Sequence, residues 1–238
     1  MRDIKLGTLN ARMAGGTDRE GGGTGPVVVL MHGYGAPGTD LVPLWRELPV
    51  PKDVRFVFPE APLELGFGGR AWWPIDMARL QDRFSKSDVD RLTAEVPEGI
   101  DSAREAVLDL LDVLARDFDA APEKTVLGGF SQGAMLATDV VLRSERTFGG
   151  LAVLSGTLIS HLEWRPLMAA RRGLPVLQTH GRNDTVLPFA VAEQLRDELV
   201  AAGLGVEFIP SNGGHGIPGS ALEGLVKLIA RSSGTESA

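Results

Sequence analysis

Apolar residues recur along this chain in two alternating rhythms. Short runs such as VVVLM (Val27–Met31) and RFVFP (Arg55–Pro59) are apolar at nearly every position. TVLGGF (Thr125–Phe130), GGLAVL (Gly149–Leu154), LPVLQTH (Leu174–His180) and VEFIP (Val206–Pro210) follow the same theme. Between them, apolar positions fall at three- and four-residue steps, most clearly at Ile100, Ala103, Val107, Leu110, Leu111, Leu114 and Phe118. The first rhythm predicts strands covered on both faces, the second helices with one buried stripe. Further helices are expected near Leu48, over Ala134–Arg143, from Pro188 through Ala202, and over Ala221–Ala230 with Ser220 as N-cap. Ile4–Met13 alternates as a strand would, and the glycine-rich segment after it reads as an exposed turn to the next strand. That segment lacks the glycine spacing of a phosphate-binding loop.

Strands alternating with helices, with no linker and no internal repeat, predict one doubly wound α/β domain over residues 1–238. The sheet should be mostly parallel, with helices on both faces. Residues 1–25 form its N-terminal elaboration, the charged stretch 76–97 is expected to form a cap, and 232–238 a disordered tail.

Composition narrows the chemistry. A 43% hydrophobic, 23% charged chain with mean hydropathy of +0.03 is globular. A formal charge of -7 makes nucleic acid a poor partner. The absence of cysteine excludes disulfides, metal–thiolate sites and a cysteine nucleophile. No apolar run approaches a membrane span and no signal-peptide core opens the chain, so a cytoplasmic protein without stable membrane insertion is expected. Nothing in the pattern sets the oligomeric state, and a homodimer stays open.

In open sheets of this kind ligands bind beyond the C-terminal ends of the strands. Ser131 stands there inside Gly129-Phe130-Ser131-Gln132-Gly133, between a strand and a helix. G-x-S-x-G exposes a serine on a sharp turn that only small neighbours permit. With 30 glycines in the chain the motif alone is weak, and the strand and helix around it carry the weight. Serine needs a base, and there are four histidines. His215 lies in a glycine-flanked loop after the last strand, where an imidazole can swing towards the serine. His161 lies in a polar stretch and is expected to be solvated, while His32 and His180 at strand ends are expected to hydrogen-bond their own loops. Asp184, just past a strand end, can fix the tautomer of the base, although a turn or capping role is its bland alternative. Two N–H donors should face the oxyanion: the backbone amide of Gln132, and that of Tyr34 in His32-Gly33-Tyr34-Gly35. The side chain of Gln132 is expected to be dispensable.

Taken together, LMHGYGA, GGFSQGA, HGRNDTVLP and GGHGI resemble the oxyanion, nucleophile, aspartate and histidine loops of the phospholipase/carboxylesterase family of α/β-hydrolases, which includes acyl-protein thioesterases. The likeness runs in order from about Pro26 to Ala230. It implies a serine carboxylesterase acting on a small-molecule ester with no cofactor or metal, or a thioesterase or lysophospholipase with the same triad. A catalytically silent binding module is the rival from another class. RAWWPI is similar to the family's tryptophan loop, which implies that Trp72 and Trp73 contact substrate, although paired tryptophans are as readily core. Arg70 beside them is expected to be paired or solvated.

Overall fold

The computed structural model describes residues 1–76 and 93–234. Most of the stretch expected to form a cap, namely 77–92, lies outside the described residues, as do 235–238 of the expected tail. Ser232, expected in the tail, belongs to the last helix and is buried at 8% exposure.

The sequence folds as β1 (Arg2–Leu6), β2 (Leu9–Gly15), β3 (Val27–Met31), α1 (Leu44–Glu47), β4 (Arg55–Pro59), β5 (Leu63–Gly66) and β6 (Gly69–Ala71). Then come α2 (Ile100–Asp117), β7 (Thr125–Phe130), α3 (Gln132–Arg143), β8 (Gly150–Leu154) and α4 (His161–Met168). The chain closes with β9 (Pro175–Gly181), α5 (Phe189–Ala201), β10 (Gly205–Ser211) and α6 (Gly219–Ser232). The main sheet has eight strands in the order β1-β2-β4-β3-β7-β8-β9-β10. From β4 to β10 neighbours run parallel, whereas β2 pairs antiparallel with β4 and with β1.

Each continuous apolar run serves both faces of this sheet. Val27, Val29 and Met31 pack with Val107, Leu136, Val140 and Leu195 of the helices on one side. Val28 and Leu30 pack with Leu44 of α1 and Leu225 and Ile229 of α6 on the other. Successive side chains alternate across a strand, so a run apolar at every position is what two covered faces require.

Three local expectations change. Ile4–Met13 is a hairpin, not one strand: Gly7 turns at φ +60, and β1 and β2 pair across it. A left-handed turn of this kind costs glycine nothing, and the alternation on either side of it had masked the reversal. α3 starts at Gln132 and not at Ala134, and α6 starts at Gly219 with Pro218 at its N-cap instead of Ser220. β5 and β6 add a small two-stranded sheet that no sequence pattern had announced.

Strand order reverses direction at β3: β4 lies on one side of it and β7 on the other. The loops after β3 and β7 therefore meet at a topological switch point, where open α/β sheets bind ligands.

Candidate active site

Ser131 stands at that switch point with φ 53 and ψ -116, a conformation costly for a residue bearing a Cβ. The turn is tight enough that a Cβ on Gly133 would lie 2.2 Å from the carbonyl oxygen of Met31. A Cβ on Gly129 would lie 2.5 Å from the same oxygen, so both motif positions must be glycine. Ser131 donates its amide to the Leu154 carbonyl at 2.9 Å, which extends the β7–β8 pairing into the turn.

The structure brings the three expected residues together. Ser131 Oγ lies 2.8 Å from Nε2 of His215, and Nδ1 of His215 lies 2.7 Å from Oδ2 of Asp184. Asp184 Oδ1 accepts the amides of Val186 and Leu187 at 2.8 and 2.9 Å. Its turn role and its contact with His215 thus coexist, one oxygen for each. Burial works to raise the Asp184 carboxyl, but hydrogen bonds from His180, His215, Leu187 and Val186 outweigh it and hold the group well below the usual carboxylate range. A permanent anion there leaves His215 Nδ1 protonated and Nε2 free to accept from Ser131. The Phe130 ring flanks the imidazole, centroid to centroid 4.9 Å.

His32 and His180 are buried, as expected of loop-bonding histidines. His32 Nε2 accepts the Ala61 amide at 3.0 Å, so Nδ1 carries the proton and donates to the Gly33 carbonyl at 2.8 Å. Burial lowers its pKa and keeps it neutral. The trans peptide then turns the Tyr34 N–H away from that carbonyl. His180 Nε2 lies 2.9 Å from the Leu187 carbonyl and 3.2 Å from Asp184 Oδ2. His161 differs from expectation: it starts α4, and its half-buried ring pairs with Glu198 at 3.2 Å. Arg70 is paired, lying 3.4 Å from Glu64 and donating to the Ala61 carbonyl.

Gln132 departs most from expectation. Being the first residue of α3, it has an amide with no intrahelical acceptor. Its side chain, fully buried, accepts the Trp72 amide at 2.9 Å and donates to the Trp73 carbonyl at 2.8 Å. Trp72 in turn donates its indole N–H to the His32 carbonyl at 2.9 Å, and Gly35 N–H bonds the Arg70 carbonyl at 2.8 Å. The helix start, the tryptophan loop and the loop after β3 are thereby tied into one ring. The matched donor and acceptor of a glutamine side chain could have suggested such a backbone partner. Trp72 and Trp73 are each 2% exposed and belong to the core. At this depth the two indoles, expected to contact substrate, present almost no surface and pack against the core.

Among the described residues, no group of three or more histidine, aspartate or glutamate side chains gathers as a metal site, and no helix is long and apolar enough to cross a membrane.

An eight-stranded, mostly parallel sheet with a serine elbow at its switch point defines an α/β-hydrolase, and comparison with known proteins agrees. Residues 20–233 match the family model described as phospholipase/carboxylesterase, and the chain belongs to that family. It is similar to acyl-protein thioesterase 1 of Gibberella zeae, 30% identical over 171 residues, covering 68% of this chain and 70% of that protein. Acyl-protein thioesterase 1 homolog 1 of Dictyostelium discoideum is 25% identical over 213 residues, 86% of this chain and 89% of that protein. Among solved structures, esterase PE8 superposes with a TM-score of 0.75 at 28% identity, covering 93% of this chain and 97% of that one. A carboxylesterase from Mesorhizobium loti shares the fold at 18% identity and a TM-score of 0.73, covering 97% and 99% of the two chains. The chain is a hydrolase of the esterase and thioesterase kind.

Proposed function

We propose that this protein is a serine carboxylesterase that hydrolyses carboxylic esters through an acyl-enzyme on Ser131. The observation that carries the reading is the unbroken relay of 2.8 and 2.7 Å from Ser131 through His215 to Asp184. Ser131 Oγ attacks the carbonyl carbon while His215 Nε2 takes its proton, and the resulting imidazolium is balanced by the Asp184 carboxylate. The amides of Gln132 and Tyr34 receive the negative charge that forms on the carbonyl oxygen. The imidazolium then protonates the leaving alkoxide, an acyl ester remains on Ser131, and water attacks it with His215 again as base. No step calls on a cofactor or metal.

The acyl-protein thioesterase 1 relatives favour one second reading, a thioester as substrate. The triad chemistry is identical and only the leaving group changes. Rates on p-nitrophenyl esters of rising chain length, beside an acyl thioester and a lysophospholipid, separate the two. The ester reading expects the highest kcat/KM on an oxygen ester. A thioester preference of a hundredfold or more would replace it, and inactivity on the whole panel, with no phosphonate labelling of Ser131, would return the chain to a silent binding module.

A further inference from the structure

His215 sits in a loop that is flexible by composition, with Gly213 and Gly214 before it and Gly216 after it. Yet its imidazole must meet Ser131 and Asp184 at once. On the N-terminal side the loop is tied to the aspartate loop: Arg182 N–H bonds the Ser211 carbonyl at 2.8 Å, Asn183 N–H the Gly213 carbonyl at 3.1 Å, and Asn183 Nδ2 the Asn212 carbonyl at 2.7 Å. Beyond His215, the loop is held from elsewhere in the sheet. Ser155 Oγ lies 2.7 Å from the Gly216 carbonyl oxygen. A carbonyl only accepts, so the serine hydroxyl is the donor.

Ser155 is built for that bond. It is fully buried at the end of β8, the strand between the nucleophile strand and the aspartate strand. Its φ of 49 lies in the left-handed region, a strain that a non-glycine residue keeps only where the surroundings impose it. The residue before it, Leu154, accepts the Ser131 amide at 2.9 Å, and Ser155 N–H bonds the Thr179 carbonyl at 2.9 Å. One dipeptide therefore braces the nucleophile through its carbonyl and the base loop through its hydroxyl.

We propose that Ser155 is a positioning residue that fixes His215 relative to Ser131 through the Gly216 carbonyl. The proposal rests on the serine-hydrolase reading above. Two variants test it, because glycine accepts the left-handed backbone without strain while alanine does not. Both Ser155→Ala and Ser155→Gly remove the hydroxyl, and kcat on an ester should fall about tenfold or more in both, with KM within about threefold. Inactivation of Ser131 by a phosphonate should slow in step with kcat, while thermal unfolding still shows a folded protein. A kcat within twofold of the parent in either folded variant overturns the proposal. So does full activity in Ser155→Gly beside a slow Ser155→Ala, since strain and not the hydroxyl would then be the cause. If both variants fail to fold, Ser155 is a fold residue and the positioning role is wrong. A parent that neither cleaves esters nor takes up phosphonate on Ser131 counts instead against the hydrolase reading itself.

Discussion

The side-chain amide of Gln132 pairs with the main chain at Trp72 as one strand pairs with its neighbour, accepting its N–H at 2.9 Å while donating to the next carbonyl at 2.8 Å. The residue whose backbone is proposed to receive the oxyanion thus also anchors the loop that bonds His32 through Trp72 and Gly35 through Arg70. Gln132→Met keeps the length of the side chain but neither bond, and it leaves a buried N–H and a buried carbonyl unpartnered. That should cost about 1–3 kcal/mol for each orphaned group. We expect kcat to fall by about tenfold with KM little changed, measured per phosphonate-titratable site. Retention of full kcat would show that the ring of bonds has no bearing on catalysis, as the sequence alone had suggested.

Trp72→Ala and Trp73→Ala should act on stability before specificity. A buried tryptophan lost to alanine costs on the order of 3–5 kcal/mol, and both side chains are 2% exposed. Activity should then fall by the same factor on short and long acyl esters, in step with the folded fraction seen by thermal melts. A loss confined to long acyl chains in a fully folded variant would restore the substrate-wall role.

Asp184 sets a pH dependence whose sign is fixed by its depressed pKa. The folded carboxylate ionises more readily than in the unfolded chain, so its contribution to stability is complete above the unfolded value of about 4. It is lost as pH falls below that value through the lower folded one. Comparing Tm of the parent and Asp184→Asn from pH 7 down to pH 2, the gap should be widest near neutrality and close in acid. A gap that widened in acid would contradict the assignment of the low pKa. For the same reason, loss of kcat/KM between neutrality and pH 5 should not report this carboxylate.

A different carboxylate holds the helical layer. Asp139 is fully buried and accepts from Arg104 at 2.7 Å, Arg143 at 2.8 Å and the Trp164 indole at 2.8 Å. Three helices, α2, α3 and α4, meet on one side chain. Asp139→Ala leaves the Trp164 indole N–H without its acceptor and each guanidinium with one carboxylate, Asp101 for Arg104 and Glu163 for Arg143, and should destabilise by about 1–3 kcal/mol in urea titrations. Specific activity of the folded fraction should stay within twofold, because none of these partners touches Ser131 or His215.

What the sequence disclosed depended on the range of the interaction. The strand runs were legible because a both-sides-covered strand must be apolar throughout, and Ser131, Asp184 and His215 because strand ends are few and histidines fewer. The hairpin at Gly7 was hidden by alternation that reads the same through a reversal. The second tasks of Gln132 and Ser155 were invisible for another reason. Their partners are backbone groups of Trp72, Trp73 and Gly216, 60, 59 and 61 residues away, and a carbonyl or amide has no residue type to reveal it. Tryptophan burial was equally beyond reach, since a glycine- and proline-rich setting suits an exposed loop as well as a packed one.

The strand order has a consequence for the timing of biosynthesis. Ser131 follows β7, Asp184 follows β9 and His215 follows β10, so the proposed triad is laid down strictly in chain order, with the proposed base last. Among the described residues β10 is also an edge strand whose sheet partner is β9, and it can dock only after β9 is in place. A nascent chain that has not passed Ser211 can shape the strained serine turn but cannot energise it. From the synthesis of Ser131 to that of His215, 84 residues later, the proposed nucleophile is therefore present without its base, and reactivity arrives with the final strand.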